Sequence, residues 1–142
     1  MKLANCNALI TGASAGIGRE FARQLAGRAR SMILIARRDE RLIELADQLQ
    51  REYPKLLVHV RKVDLADLGQ LQGFLEWLDR QKLQVDLLIN NAGLGDSGSF
   101  AESDPDRNKQ MTVVNVATLT LVTRHLVPRM IAQHRGAILN VS

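Results

Sequence analysis

Apolar residues fall into two kinds of run that alternate along the chain. Short continuous runs, Ala8-Leu9-Ile10, Met32-Ile33-Leu34-Ile35-Ala36 and Val85-Asp86-Leu87-Leu88-Ile89, have the length and composition of strands buried on both faces. Residues 56–63 predict another strand, with Leu56, Val58 and Val60 alternating against Leu57, His59 and Arg61, and residues 137–141 begin a fifth. Between them the period changes to that of a helix. From Gly16, the residues Ile17, Phe21 and Leu25 recur every four positions, and Gly27 supplies a stop. Asp39 is placed to cap a helix with an apolar face of Leu42, Leu45, Ala46 and Leu49, and Pro54 lies beyond its end. Asp67 starts a third helix carrying Leu71, Phe74, Leu75 and Leu78, weakened by Gly69 and Gly73. A polar loop over 90–104 leads to Pro105 at a helix start. Residues 106–135 then read as a short helix running into a second, kinked at Pro128 and closed by Gly136.

Five short strands separated by amphipathic helices imply a parallel sheet covered on both faces. Right-handed crossovers make the doubly wound, Rossmann-type order 3-2-1-4-5 the natural topology. A length of 142 residues fits one α/β domain over 1–142 and is short for two.

Composition narrows the function classes. The chain is 46% hydrophobic and 24% charged, ordinary for a globular protein. Its net charge of +4 is spread between acids, and the densest basic run, Arg37-Arg38-Asp39-Glu40-Arg41, contains two of them. That distribution argues against nucleic acid as a partner. The single cysteine, Cys6, cannot form an internal disulfide, and His59, His125 and His134 have no metal-ligand spacing. No window has the apolar length of a membrane span or a secretory leader. A cytoplasmic protein with no metal and no membrane partner is expected.

The first strand feeds directly into Thr11-Gly12-Ala13-Ser14-Ala15-Gly16-Ile17-Gly18. Gly12 permits a tight exit from the strand, Gly16 keeps side-chain bulk off an approaching pyrophosphate, and Gly18 permits close helix packing. The helix start then offers free amides and a positive dipole end to phosphates. The G-x-x-x-G-x-G spacing departs from the generic G-x-G-x-x-G, and no Gly-Lys-Ser/Thr follows to make an NTPase loop. An acid that would bond a ribose 2′-hydroxyl is lacking at the end of the second strand, where Ala36 is followed by Arg37 and Arg38. Arg37 is placed to pair with a 2′-phosphate through a charge-assisted fork.

The turn 11–18 resembles the cofactor loop of the short-chain dehydrogenase/reductase family. Four further segments follow in that family's order: Asp64 after the third strand, Asn90-Asn91-Ala92-Gly93 after the fourth, Asn115 within Val113-Val114-Asn115-Val116, and the run Gly136-Ala137-Ile138-Leu139-Asn140-Val141-Ser142. The resemblance covers essentially the whole chain. It implies a cofactor site of Gly12, Ser14, Gly16, Ile17, Gly18, Arg37, Arg38, Asp64, Leu65, Asn91, Ala92 and Gly93. The cofactor it implies is NADP(H) rather than NAD, as in the NADP-preferring members. Asn115 corresponds to the family's active-site asparagine. Ser142 corresponds to the residue before the catalytic serine or, with a slip of one position, to that serine.

The family's chemistry interconverts a carbonyl and an alcohol by hydride transfer, with a tyrosine and lysine in Tyr-x-x-x-Lys moving the proton. The one tyrosine, Tyr53, has no lysine four residues on. The chain is therefore expected to be an N-terminal portion truncated after the fifth strand and inactive alone. The parent would act on a small-molecule carbonyl or alcohol and associate as a dimer or tetramer. The alternative is a non-catalytic NADP(H)-binding or protein-interaction module. Truncation would also leave the fifth strand as an open edge and expose Leu119, Leu121, Leu126 and Ile131.

Overall fold

The computed structural model describes residues 3–142. Five parallel strands, β1 (Cys6–Thr11), β2 (Ala29–Ala36), β3 (Leu57–Lys62), β4 (Leu87–Asn90) and β5 (Ala137–Asn140), form one sheet in the order β3-β2-β1-β4-β5. The helices are α1 (Gly16–Ala26), α2 (Asp39–Glu52), α3 (Leu68–Arg80), α4 (Pro105–Thr112) and α5 (Leu119–Ala132). The expected topology is thus the observed one.

Side chains of successive strand residues serve opposite faces. Ala8, Ile10, Met32 and Leu34 pack with Ala22 and Leu25 of α1 and Leu42, Leu45 and Leu49 of α2. Leu9, Ile33, Ile35 and Leu88 pack with Leu71, Phe74 and Leu78 of α3 and Val122, Leu126 and Met130 of α5. The two layers explain why the central strands read as unbroken apolar runs. The outer strand β3 is less covered, and Leu57 is exposed. On its edge the Arg61 guanidinium lies 4.8 Å from the centre of the Trp77 ring, which itself stacks on Phe74 at 6.0 Å.

Several local expectations shift. In α1 the inward residues are Gly18, Ala22, Leu25 and Ala26, while Ile17 is 60% exposed, because the first turn stands at the mouth of a cleft. Asp39 is not the cap of α2 but its first residue, following Arg38. Its carboxylate accepts from the Glu40 amide at 3.0 Å, favourable at the positive end of the helix. Asp67 does cap α3, accepting from the amides of Gly69 and Gln70.

The long helical segment divides into two helices, as expected, and the second runs continuously through Pro128. A π-helical turn over Val113–Thr118 separates α4 from α5, and Pro128 lies inside α5. Gly136 does not close that helix. His134 takes the left-handed conformation (φ 49°), the His134 amide donates to the Ile131 carbonyl, and the Arg135 amide donates to that of Met130, the Schellman pattern. Gly136 instead lets Met130 approach, since a Cβ there would lie 2.5 Å from that side chain. Of the apolar residues expected to lose partners, Leu126 is 1% exposed and belongs to the core, whereas Leu121 and Ile131 are 45% and 67% exposed. Among the described residues β5 pairs only with β4 and forms a sheet edge.

At the opposite end of the sheet a buried carboxylate holds β1, β4 and the approach to β5. Asp86 accepts from the Asn7 amide at 2.9 Å and from Asn7 Nδ2 at 3.4 Å. Arg135 Nε lies 2.9 Å from Asp86 Oδ2, near enough for an ion pair but outside hydrogen-bond alignment. Burial, and secondarily the Asp86 charge, pushes the neighbouring Cys6 thiol above its usual range.

Candidate functional site

In strand order 3-2-1-4-5 the chain reverses direction across the sheet between β1 and β4, and the carboxyl ends of the strands open a crevice there. The structure has a cleft of about 360 Å³ at this point. It is lined by the turn after β1, by Ala36, Arg37 and Arg38 after β2, by Val63, Asp64 and Leu65 after β3, and by Asn91 to Leu94 after β4.

One hydroxyl ties the two central strands together at the cleft. Thr11 Oγ1 accepts from the amides of Asn91 at 3.0 Å and Ala92 at 2.9 Å. It donates to the Ile89 carbonyl at 3.5 Å, so its one donor and two acceptor sites are all used. Asn91 Nδ2 returns the tie by donating to the carbonyls of Thr11 at 3.1 Å and Gly12 at 3.2 Å. Asn90 faces the other neighbour, donating to Asn140 Oδ1 at 2.9 Å and to Thr123 Oγ1 at 3.1 Å. The two asparagines therefore knit β4 to both sides.

The three glycines of the turn do different jobs. Gly12 is left-handed (φ 68°), and a Cβ there would lie 2.9 Å from the Ala92 backbone. Gly18 lies beneath the cleft, not on its lining: a Cβ would fall 2.4 Å from Asn91 Nδ2 and 2.5 Å from the Gly12 carbonyl oxygen. Gly16 (φ 54°) lines the cleft, and a Cβ there would meet nothing within 4 Å. No side chain caps α1, whose first turn contains no acid. Its amides and dipole are thus left to whatever occupies the cleft. The charged lining consists of two guanidinium groups, Arg37 and Arg38, and one carboxylate, Asp64.

Asp64 holds the turn after β3 by accepting from the Ala66 amide at 3.0 Å, while its own amide donates to Gln70 Oε1 at 2.9 Å. Asn115 lies on the π-helical turn. Its Oδ1 accepts from the Leu94 amide at 2.9 Å and its Nδ2 donates to the Leu94 carbonyl at 2.8 Å, clamping the loop that leaves β4.

Of the residues singled out from sequence, Gly12, Ser14, Gly16, Ile17, Arg37, Arg38, Asp64, Leu65, Asn91, Ala92 and Gly93 all line this cleft. Gly18 lies below it, and Asn115 holds its Leu94 rim. Ser142 is exposed past the end of β5 and is not part of the lining. Sequence reasoning missed Ala15, Val63, Leu94 and Val114, each adjacent in sequence to a residue it did select. It also assigned no role to Thr11, whose position at the very end of a buried strand was the available signal. Among the described residues no group of three or more histidine, cysteine or acidic side chains is arranged to hold a metal. No helix among the described residues is long and apolar enough to cross a membrane.

Known proteins share both the sequence and the geometry. The family model for short chain dehydrogenase matches residues 6–142. The NADP-dependent 3-hydroxy acid dehydrogenase of Schizosaccharomyces pombe is 36% identical over 135 residues, which cover 94% of this chain and 52% of that protein. A very-long-chain 3-oxoacyl-CoA reductase-like protein of Arabidopsis thaliana is 34% identical over 137 residues, covering 95% of this chain and 43% of its own length. The chain therefore spans about half or less of the curated relatives it matches. Among solved structures, a short-chain dehydrogenase from Sphingobium yanoikuyae in complex with NADPH has a TM-score of 0.88 at 32% identity, covering 95% of this chain and 52% of the other. Sequence match, strand order and the placing of the glycine turn agree: the chain belongs to the short-chain dehydrogenase family.

Proposed function

We propose that this chain is the NADP(H)-binding part of an oxidoreductase that interconverts a small-molecule carbonyl and an alcohol. The observation that carries the cofactor assignment is the end of β2. Ala36 stands where a carboxylate would repel a 2′-phosphate, and Arg37 and Arg38 line the same cleft as the glycine turn. The fit extends along the lining. The uncapped start of α1 and the side-chain-free backbone of Gly16 suit a pyrophosphate, and Asp64 with Leu65 would hold the adenine end. Gly93 and Leu94 stand at the other end, where Asn115 fixes the backbone. When bound, the nicotinamide supplies or accepts the hydride. The protein's own part is to orient the dinucleotide, neutralise its phosphates and keep the Gly93–Leu94 rim rigid. The name of the fission-yeast relative and the ligand of the Sphingobium structure, an NADP-dependent enzyme and an NADPH complex, support the same cofactor.

The test is a fluorescence titration with NADPH and NADH. The protein is expected to bind NADPH tighter by about tenfold to a hundredfold, the worth of a charge-assisted hydrogen-bond pair. The double substitution Ala36→Asp with Arg37→Ile should reverse the order. Equal affinity for the two cofactors, or a ratio unmoved by the substitutions, refutes the assignment.

A further inference from the structure

Two threonines on the long helical segment behave differently. Thr112 Oγ1 donates to the carbonyl of Asn108, four residues back, at 3.1 Å, the local bond that threonine ordinarily makes in a helix. Thr118, on the π-helical turn, instead donates across the molecule to the Leu65 carbonyl at 2.7 Å. Thr118 is 3% exposed, so neither partner has bulk water as a substitute. Leu65 lines the cleft. The Leu65 carbonyl and the Ala66 amide belong to one rigid peptide plane. The Ala66 amide donates to the Asp64 carboxylate at 3.0 Å, and Asp64 lines the cleft as well. A continuous chain of two hydrogen bonds and one peptide plane thus runs from the Thr118 hydroxyl to the Asp64 carboxylate. On the same π-helical turn, three residues earlier, Asn115 holds both backbone groups of Leu94.

We propose that Thr118 is a positioning residue of the cofactor site, setting the Asp64 carboxylate through the Leu65–Ala66 peptide. The proposal rests on the cofactor reading given above. Removing the hydroxyl leaves the Leu65 carbonyl without its donor. The peptide then turns toward another partner, and the Ala66 amide is carried away from Asp64. The π-helical turn emerges as the element that fixes two walls of the cleft, one through Asn115 and one through Thr118.

The experiment compares Thr118→Val, which keeps the volume and deletes the hydroxyl, with Thr118→Ser, which keeps the hydroxyl and deletes a methyl. NADPH affinity, thermal melting and exchange of the Ala66 amide are measured on each. Thr118→Val is expected to weaken NADPH about tenfold and to speed Ala66 exchange. Thr118→Ser should bind NADPH as the wild type does even though its melting temperature falls. If Thr118→Val does not fold, Thr118→Ala set against Thr118→Ser isolates the same hydroxyl. Wild-type affinity in the hydroxyl-free variant, or equal losses with and without the hydroxyl, overturns the role of Thr118 while leaving the cofactor reading intact. A wild-type protein that binds no NADPH overturns both.

Discussion

Alanine substitutions at Gly16 and Gly18, two positions apart in one loop, should separate the energetics of the fold from those of the ligand. At Gly18 the new Cβ would sit 2.4 Å from Asn91 Nδ2 and 2.5 Å from the Gly12 carbonyl oxygen. Those two atoms are themselves hydrogen-bonded at 3.2 Å, so the methyl would lie within that bond. Overpacking costs about 1–3 kcal/mol, and disturbing the two bonds of Asn91 Nδ2 adds about 0.5–1.5 kcal/mol each. The better helix propensity of alanine returns at most about 1 kcal/mol. With the middle of each range, the net loss expected for Gly18→Ala is roughly 3–4 kcal/mol, a large share of the stability of a small domain.

At Gly16 the methyl meets nothing within 4 Å. Its cost is the left-handed backbone, about 1–2 kcal/mol, offset by about 0.4–1 kcal/mol from a less flexible unfolded chain. Stability should fall by only about 1 kcal/mol. The methyl would, however, occupy the cleft over the start of α1, and NADPH binding should weaken by at least about tenfold. Urea unfolding and NADPH titration on both variants read the two effects independently. The reasoning fails if Gly18→Ala unfolds at the wild-type urea midpoint, or if Gly16→Ala retains wild-type NADPH affinity.

Two further substitutions probe ties between elements. Arg135→Met leaves the buried Asp86 carboxylate with only its bonds from Asn7. Because Arg135 is partly exposed, the loss should be about 2 kcal/mol in urea unfolding rather than the larger value of a fully enclosed pair; a change below about 0.5 kcal/mol would refute the role given to Asp86. Asp79 links α3 to α5 by accepting from His125 Nε2 at 2.9 Å and from Arg129. Burial pushes its pKa up, but the hydrogen bonds and charges of those two residues outweigh it, and the net shift is downward. The unfolded chain then binds the proton more readily, so this stabilisation is present above the ordinary carboxylate pKa of about 3.9 and is lost as pH falls through the lower folded value. Asp79→Asn should remove that part of the acid dependence, worth less than about 1 kcal/mol at so exposed a site. Equal stability of variant and wild type at about pH 6, or a difference that does not shrink as pH falls to about 3, would count against it.

What could be read from sequence was whatever depends on near neighbours along the chain. The apolar runs located the three central strands, because a sheet covered on both faces demands them, and alternation located the less covered β3, though β1 reaches outward to Cys6 and Thr11 where polar Asn7 and Thr11 find specific partners. The glycine turn and the arginines after β2 were legible for the same reason, since their chemistry is set within a few residues of a strand end. Periodicity alone groups Ile17 with Phe21 and Leu25, whereas the family resemblance put it at the cofactor site, and it is 60% exposed on the cleft lining. Pairs distant in sequence left no such trace. Asn115 and Leu94 are separated by 21 positions and Thr118 and Leu65 by 53. Neither an asparagine nor a threonine in a helical stretch announces a partner on another element. Asn115 was picked out by the family resemblance, but its tie to Leu94 was not, and Thr118 was not picked out at all. The π-helical turn changes the helical repeat, so a pattern read at 3.6 residues per turn does not say which of its side chains face which neighbour. Thr118 was therefore the hardest to see, because it acts through the backbone of Leu65 and belongs to no motif.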